Sequence, residues 1–169
     1  MTYLLADVDF TLRQEFAAPV DAVDEALVNP ELLTRMAELP KLGSAEVVRN
    51  ERDGDIVKLQ VRYLFQADLS ASVTRVVDPS KLTWIEDSTV DLGAHHTTCV
   101  LRPDNYANLL EGGYEATIAA AGAGCVRTVT GHIKVHVPLL GGKVERAIVG
   151  GLSENSDAQT LLISEFLGL

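Results

Sequence analysis

Residues 126–166, VRTVTGHIKVHVPLLGGKVERAIVGGLSENSDAQTLLISEF, decide the fold because they predict one strand followed by one long helix. Between Val126 and Val137, threonine, histidine and lysine alternate with valine, glycine and isoleucine, which is typical of an antiparallel strand with one wet and one buried face. Pro138 ends this strand, and Gly141-Gly142 turns the chain. Lys143 to Phe166 then predicts a helix about 24 residues and ~36 Å long.

The residues before this stretch predict one strand, two short helices and five more strands. The first strand spans 8–16, and the helices begin at Pro19 and Pro30. The other strands span 44–50, 55–66, 82–92, 94–102 and 112–121, and residues 67–81 fit either a bent strand or a short helix. Polar and apolar side chains alternate along these strands, so one face of the sheet is apolar and must be covered. Only the C-terminal helix is large enough to cover it. We therefore predict an α+β fold in which a curved antiparallel sheet of about seven strands wraps around that helix.

This order, β-αα-β6-α, resembles the helix-grip fold of the START-like (SRPBCC) superfamily. The resemblance rests on the opening strand at 10–16 followed by Ala18-Pro19-Val20, and on Val137–Glu145, VPLLGGKVE, which is similar to an uncharacterised actinobacterial branch. It covers nearly the whole chain, so we expect residues 1–169 to form a single START-like domain. The resemblance implies a cavity between sheet and helix that holds hydrophobic or amphipathic molecules. It implies no particular reaction, because members share a cavity and not a chemistry.

Charge and composition exclude several classes of partner. The chain has 169 residues and 24 acidic against 14 basic side chains, a net charge of −10. Nucleic acid and anionic membrane surfaces would both repel it. No apolar run is long enough to insert into a membrane. The start of the chain has no signal-peptide pattern, and we interpret Cys99 and Cys125 as free thiols. We therefore expect a cytoplasmic protein, either a monomer or a homodimer, that binds a small molecule.

The strand at 82–92 carries a carboxylate on its apolar face. If Val90 points inward, Glu86 does so too, because side chains alternate along a strand. A buried carboxylate must be paired, protonated or in contact with a cavity. Glu86 is therefore a candidate for orienting a ligand or for acid–base chemistry with a raised pKa. The alternatives are that a bulge turns Glu86 to solvent, or that Arg62 or Arg127 pairs with it.

Two adjacent histidines follow. His95 and His96 point to opposite faces of a strand, so they cannot readily chelate one metal ion together. If His96 points inward together with Thr98 and Val100, it forms a polar pair with Glu86 on the neighbouring strand. The alternatives are a core histidine with its hydrogen bonds satisfied, or an exposed one.

The other candidates for lining the cavity mix apolar and polar side chains. Asn155 and Gln159 interrupt the apolar stripe of the C-terminal helix, where their amides need partners from a ligand, water or protein. Ordinary core packing is the alternative for each. The residues predicted to contact a ligand are Gln14, Leu59, Tyr63, Trp84, Glu86, His96, Tyr114, Ala116, Ile148, Leu152 and Asn155.

No metal or cofactor is expected. His132 and His136 lie on the wet face of the last strand about 13 Å apart, too far for one ion. Cys99 and Cys125 lack the spacing of metal ligands.

Three functions remain open at this point. The sequence favours binding or transport of a small hydrophobic or amphipathic molecule, such as a lipid or a polyketide-like compound. The second hypothesis is a cyclase- or dehydratase-like enzyme that uses Glu86 and His96 as acid and base on such a compound. The third is a protein-interaction module without a ligand.

Overall fold

The computed structural model describes residues 3–75, 77–108, 110–138 and 143–169, and its elements follow the predicted order. The strands are β1 (Tyr3–Phe16), β2 (Leu42–Asp53), β3 (Ile56–Phe65), β4 (Thr83–Asp91), β5 (His96–Pro103), β6 (Leu110–Ala121) and β7 (Gly124–Pro138). The helices are α1 (Val20–Leu27), α2 (Pro30–Arg35), α3 (Ala71–Thr74) and α4 (Lys143–Phe166), with short 3₁₀ turns at Met36–Glu38 and Pro79–Lys81. The predicted fold class, a curved antiparallel sheet with a long C-terminal helix, is confirmed.

The sheet is antiparallel throughout and has the order β1-β7-β6-β5-β4-β3-β2. The strands at its two edges, β1 and β2, are joined along the chain by α1 and α2, which cross from one edge to the other. The β1–β7 pairing is regular from end to end. In contrast, β2 has register irregularities at Leu42/Ser44 and Val47/Arg49, which increase local twist and bend this edge.

Two of the short helices, α2 and α3, begin at capping residues that the local sequence supplies. The Asn29 side chain accepts a hydrogen bond from the Glu31 amide at 2.9 Å, and Pro30 occupies the first turn of α2, where its missing N–H costs nothing. In the segment that was ambiguous in sequence, Ser70 caps the single turn α3 by accepting from the Val73 amide. The short-helix alternative is therefore the one adopted there.

Helix α4 is held to both edges of the sheet. The Gln14 side chain, on β1, donates to the Ser156 carbonyl at 3.1 Å. The Asn155 side chain accepts from the Lys41 amide, just before β2, at 3.0 Å. Ile163 is fully buried in the core between the sheet and the helices. The sheet therefore closes around this helix through polar contacts at its edges and apolar packing between them.

Three details differ from or extend the sequence analysis. Strand β1 begins at Tyr3 rather than at residue 8. The Gly141-Gly142 turn lies outside the described residues. Gly150, in the middle of α4, has open space around it. Among the helices that the structure describes, none is long and apolar enough to cross a membrane.

Candidate functional site

A small cavity lies between the inner face of the sheet and the helices. Its volume is about 60 Å³, room for a few water molecules. The walls are Asp24, Leu27, Leu33 and Met36 from the helical crossover, Leu59, Val61 and Tyr63 from β3, Glu86, Ser88 and Val90 from β4, Thr97, Tyr114 and Arg127 from β5, β6 and β7, and Gln159 from α4. The cavity is thus lined by apolar side chains around a small number of charged and polar ones.

Glu86 faces this cavity from the inner face of β4, together with the buried Ser88 and Val90. Burial raises the pKa of Glu86 to about 7, and the attraction of Arg127 opposes part of that increase. No ion pair joins Glu86 to any other residue in the described part of the chain. Arg62 lies on the opposite face, where it pairs with Asp104 at 2.9 Å. The alternatives of a solvent-facing Glu86 and of an Arg62 partner are therefore both excluded.

Arg127 points into the same cavity from β7 and is only 7% exposed. Its Nη1 donates to Gln14 Oε1 at 2.8 Å, and Gln14 Nε2 donates to Gln159 Oε1 at 2.8 Å. This chain of contacts links β7, β1 and α4 and fixes the guanidinium group. A guanidinium group has five N–H donors, and the described residues provide no further acceptor for Arg127. Its inward position follows from the alternation along β7, because it shares a face with Val129.

Aromatic side chains surround the charged groups. Burial raises the pKa of Tyr63 and of Tyr114 well above the usual range, so both hydroxyl groups stay protonated. Trp84 packs on Tyr63 with ring centres 5.8 Å apart. Its Nε1 is buried and has no hydrogen-bond partner among the described residues. Burial also raises the pKa of the Cys99 thiol to about 12, which makes that thiol a poor nucleophile.

The prediction that His96 points inward is wrong. Thr98 and Val100, which share its face, are exposed on the outer side of β5, and His96 lies 3.9 Å from the exposed Glu115. The inner face of β5 carries Thr97 and the buried Cys99 instead. A Glu86–His96 acid–base pair therefore does not exist in this fold.

His95 is the histidine that the structure connects to the cavity wall. It lies in the turn before β5 with a φ of 54°, a left-handed conformation, and its Nδ1 hydrogen-bonds to Asp24 Oδ2. Asp24, on α1, is 6% exposed and lines the cavity. Asp24 was not among the residues predicted from the sequence, although it lies four residues after Val20 and three before Leu27, on the apolar stripe of α1.

The remaining predicted ligand residues have different surroundings. Leu59 lines the cavity, and Ala116 is buried on β6 opposite Thr97, which also lines it. Leu152 is half-buried on α4, and the Asn155 amide serves the Lys41 contact rather than the cavity. The Ile148 side chain lies outside the described residues.

Comparison with solved structures identifies the class of fold. The chain is similar to TTHA0849 from Thermus thermophilus, with a TM-score of 0.69, 17% identity, and coverage of 94% of this chain and 95% of that one. It is also similar to the Zhui aromatase/cyclase from Streptomyces sp. R1128, with a TM-score of 0.51, 16% identity, and coverage of 96% and 90%. It is similar as well to a norcoclaurine synthase point mutant from Thalictrum flavum in complex with a transition state analogue. The TM-score is 0.57, the sequence identity is 17%, and the match covers 98% of each chain. At such identities the similarity concerns the fold alone, a helix-grip arrangement of a curved antiparallel sheet and a long C-terminal helix.

A family model matches residues 11–167, and the chain therefore belongs to the family described as "Protein of unknown function (DUF2505)". A sequence comparison with curated proteins finds no match.

Proposed function

We propose that this protein binds a small amphipathic molecule between the sheet and α4, with the polar end of the molecule at Glu86 and Arg127. Two oppositely charged side chains, Glu86 and Arg127, line the same cavity without forming an ion pair, and this observation carries the proposal. Burying such groups is costly unless they are hydrogen-bonded or compensated. A ligand with a hydroxyl, carbonyl or carboxyl group would supply the missing partners.

The apolar part of the ligand would contact the helical crossover and β3. Leu33, Met36, Leu59 and Val61 form this part of the wall. Sites for drug-sized ligands enclose roughly 300–1,000 Å³, several times the volume of this cavity. Binding therefore requires the wall to widen, and the unbranched Met36 side chain is suited to such repacking. The structural relatives support the proposal only at the level of a ligand-binding or cyclase-like role.

The test combines native mass spectrometry with a fluorescent probe. We expect purified protein to carry a small molecule at about one per chain, or to bind the amphipathic probe 8-anilinonaphthalene-1-sulfonate after that molecule is removed. Leu59→Trp should fill the cavity and abolish both signals while circular dichroism shows a folded protein.

Val100→Trp is the matched control, because Val100 is 47% exposed on the outer face of the sheet. It should bind like the wild type. A folded Leu59→Trp variant that binds as well as the wild type, or a wild type that binds nothing, would overturn the proposal.

A second candidate function is proton transfer by Glu86 on the bound molecule. The specific observation in its favour is the raised pKa, because a buried carboxyl group that titrates near neutrality suits general acid–base catalysis. The aromatase/cyclase and norcoclaurine synthase named above are enzymes by their descriptions. Once the co-purified molecule is identified, Glu86→Gln should still bind it but no longer convert it. Equal conversion by Glu86→Gln and wild type would exclude this role.

A further inference from the structure

A second group of metal-ligating side chains lies beside the cavity. Asp21 and Asp24 are three residues apart on α1 and therefore share one face of that helix. His95 reaches the same point from the turn before β5. One potential ligand atom from each of the three residues lies within 4.8 Å of the other two.

The carboxylates around His95 outnumber the single positive charge that a protonated imidazole could supply, so they favour a bound cation. Asp21, Asp24 and Asp91 all act electrostatically on His95, and Glu25 adds its charge to Asp24. The Asp24 side chain is 8% exposed, and only its Oδ2 is hydrogen-bonded, to His95. Asp21 and Asp24 thus place two carboxylates beside one imidazole, and burial of the Asp24 carboxylate is costly unless positive charge lies close to it.

We propose that Asp21, Asp24 and His95 bind one divalent transition-metal ion, with zinc as the reference ion. Zinc accepts imidazole nitrogen and carboxylate oxygen together, whereas magnesium prefers oxygen ligands and water. The ion would replace the hydrogen that His95 and Asp24 share. Three protein ligands leave a fourth position of the ion for water or another small ligand. This inference does not depend on the ligand proposed above.

The same combination of one histidine and two aspartates occurs once more in the described structure, with the wrong geometry. His132, on β7, contacts Asp7 through Nε2 at 2.8 Å and Asp9 through Nδ1 at 2.5 Å. The two carboxylates lie at opposite nitrogens of the ring, so they cannot share one ion with it. Asp9 is also 90% exposed, where water competes. This group therefore provides the matched control.

Isothermal titration calorimetry of the metal-free 169-residue chain with zinc chloride tests the proposal. We expect one zinc ion per chain, and much weaker binding of magnesium chloride. Asp21→Asn should weaken zinc binding at least about tenfold, since losing a ligand costs no less than losing a supporting contact. Asp21 is exposed, so this variant should fold. His95→Asn should have the same effect, and asparagine tolerates the left-handed backbone that His95 adopts.

His132→Asn should bind zinc as the wild type does. Histidine side-chain nitrogen spectra by NMR provide a second readout, because zinc should shift the signals of His95 and leave those of His132 unchanged. Absence of zinc binding in the wild type would overturn the proposal. Unchanged affinity in a folded Asp21→Asn, or a loss of binding in His132→Asn, would also overturn it, since the ion would then bind elsewhere. None of these outcomes alters the expected result of the probe-binding experiment at Leu59.

Discussion

Replacing Glu86 by glutamine should change the pH dependence of stability by an amount that the structure fixes. Burial raises the pKa of Glu86 from 4.5 to about 7. The folded state therefore binds more protons than the unfolded state between these values, and stability falls as pH rises through that window. At 1.36 kcal/mol for each tenfold change in the dissociation constant, the ionised Glu86 costs the folded protein about 3 kcal/mol above pH 7. Glutamine has nearly the same shape and carries no charge.

We therefore expect Glu86→Gln to equal the wild type near pH 4.5 and to exceed it by about 3 kcal/mol at pH 8. For a chain of this size that difference corresponds to a rise in melting temperature of about 6–12 °C. Urea unfolding of both proteins at pH 5, 6, 7 and 8 measures this difference in the free energy of unfolding. The titration of all other groups affects both proteins alike and therefore cancels when one value is subtracted from the other. Glu115→Gln is the control, because Glu115 is 70% exposed and should show no such difference. A stability difference that stays constant from pH 5 to pH 8 would refute the reasoning, since Glu86 would then be solvated or paired.

Three further substitutions test the packing. Gly150→Ala should stabilise the protein by about 0.5–1 kcal/mol, because no atom lies within 4 Å of the added Cβ and alanine favours the helix; a lower melting temperature would contradict this. Gly131→Ala should cost about 1–3 kcal/mol in urea unfolding, because its Cβ would lie 2.5 Å from Phe10 Cζ, and an unchanged midpoint would show that the strands adjust freely. Gln14→Leu should lower the free energy of unfolding by about 1–3 kcal/mol in the same assay, because it leaves Arg127 buried without its acceptor. Equal stability would mean that another group accepts the hydrogen bond in place of Gln14.

Much of the fold could be predicted because its signals are local. Alternation over Val126–Val137 and the helical spacing of Lys143–Phe166 required no knowledge of distant residues, and both elements are present in the structure. The sequence predicted Glu86 on the inner face only on the condition that Val90 points inward, and the buried Ser88 and Val90 meet that condition. The segment at 67–81 gave no clear prediction because the single capped turn Ala71–Thr74 has only four residues, too few for a helical pattern to repeat.

The site was predicted less completely. Alternation gives which residues of a strand share a face, but not which face is inside. For β5 the adjacent Thr97 and Thr98 left this choice open; in the structure Cys99 is buried, so His96 points outward, and His95 in the preceding turn meets Asp24. Asn155 was predicted to contact a ligand, but its partner, the Lys41 amide, is 114 residues away in the chain.

The sequence by itself determined the kinds of elements, their order and the apolar faces, because these depend on spacing along a few neighbouring residues. Only the tertiary structure decided how the polar groups are paired. Arg127 meets Gln14 across the β1–β7 pairing, and Asp24 meets His95 between a helix and a turn. Such contacts form when closure of the sheet around α4 brings distant segments together in a space with little water. There the cost of leaving a charge without a partner selects one arrangement from many.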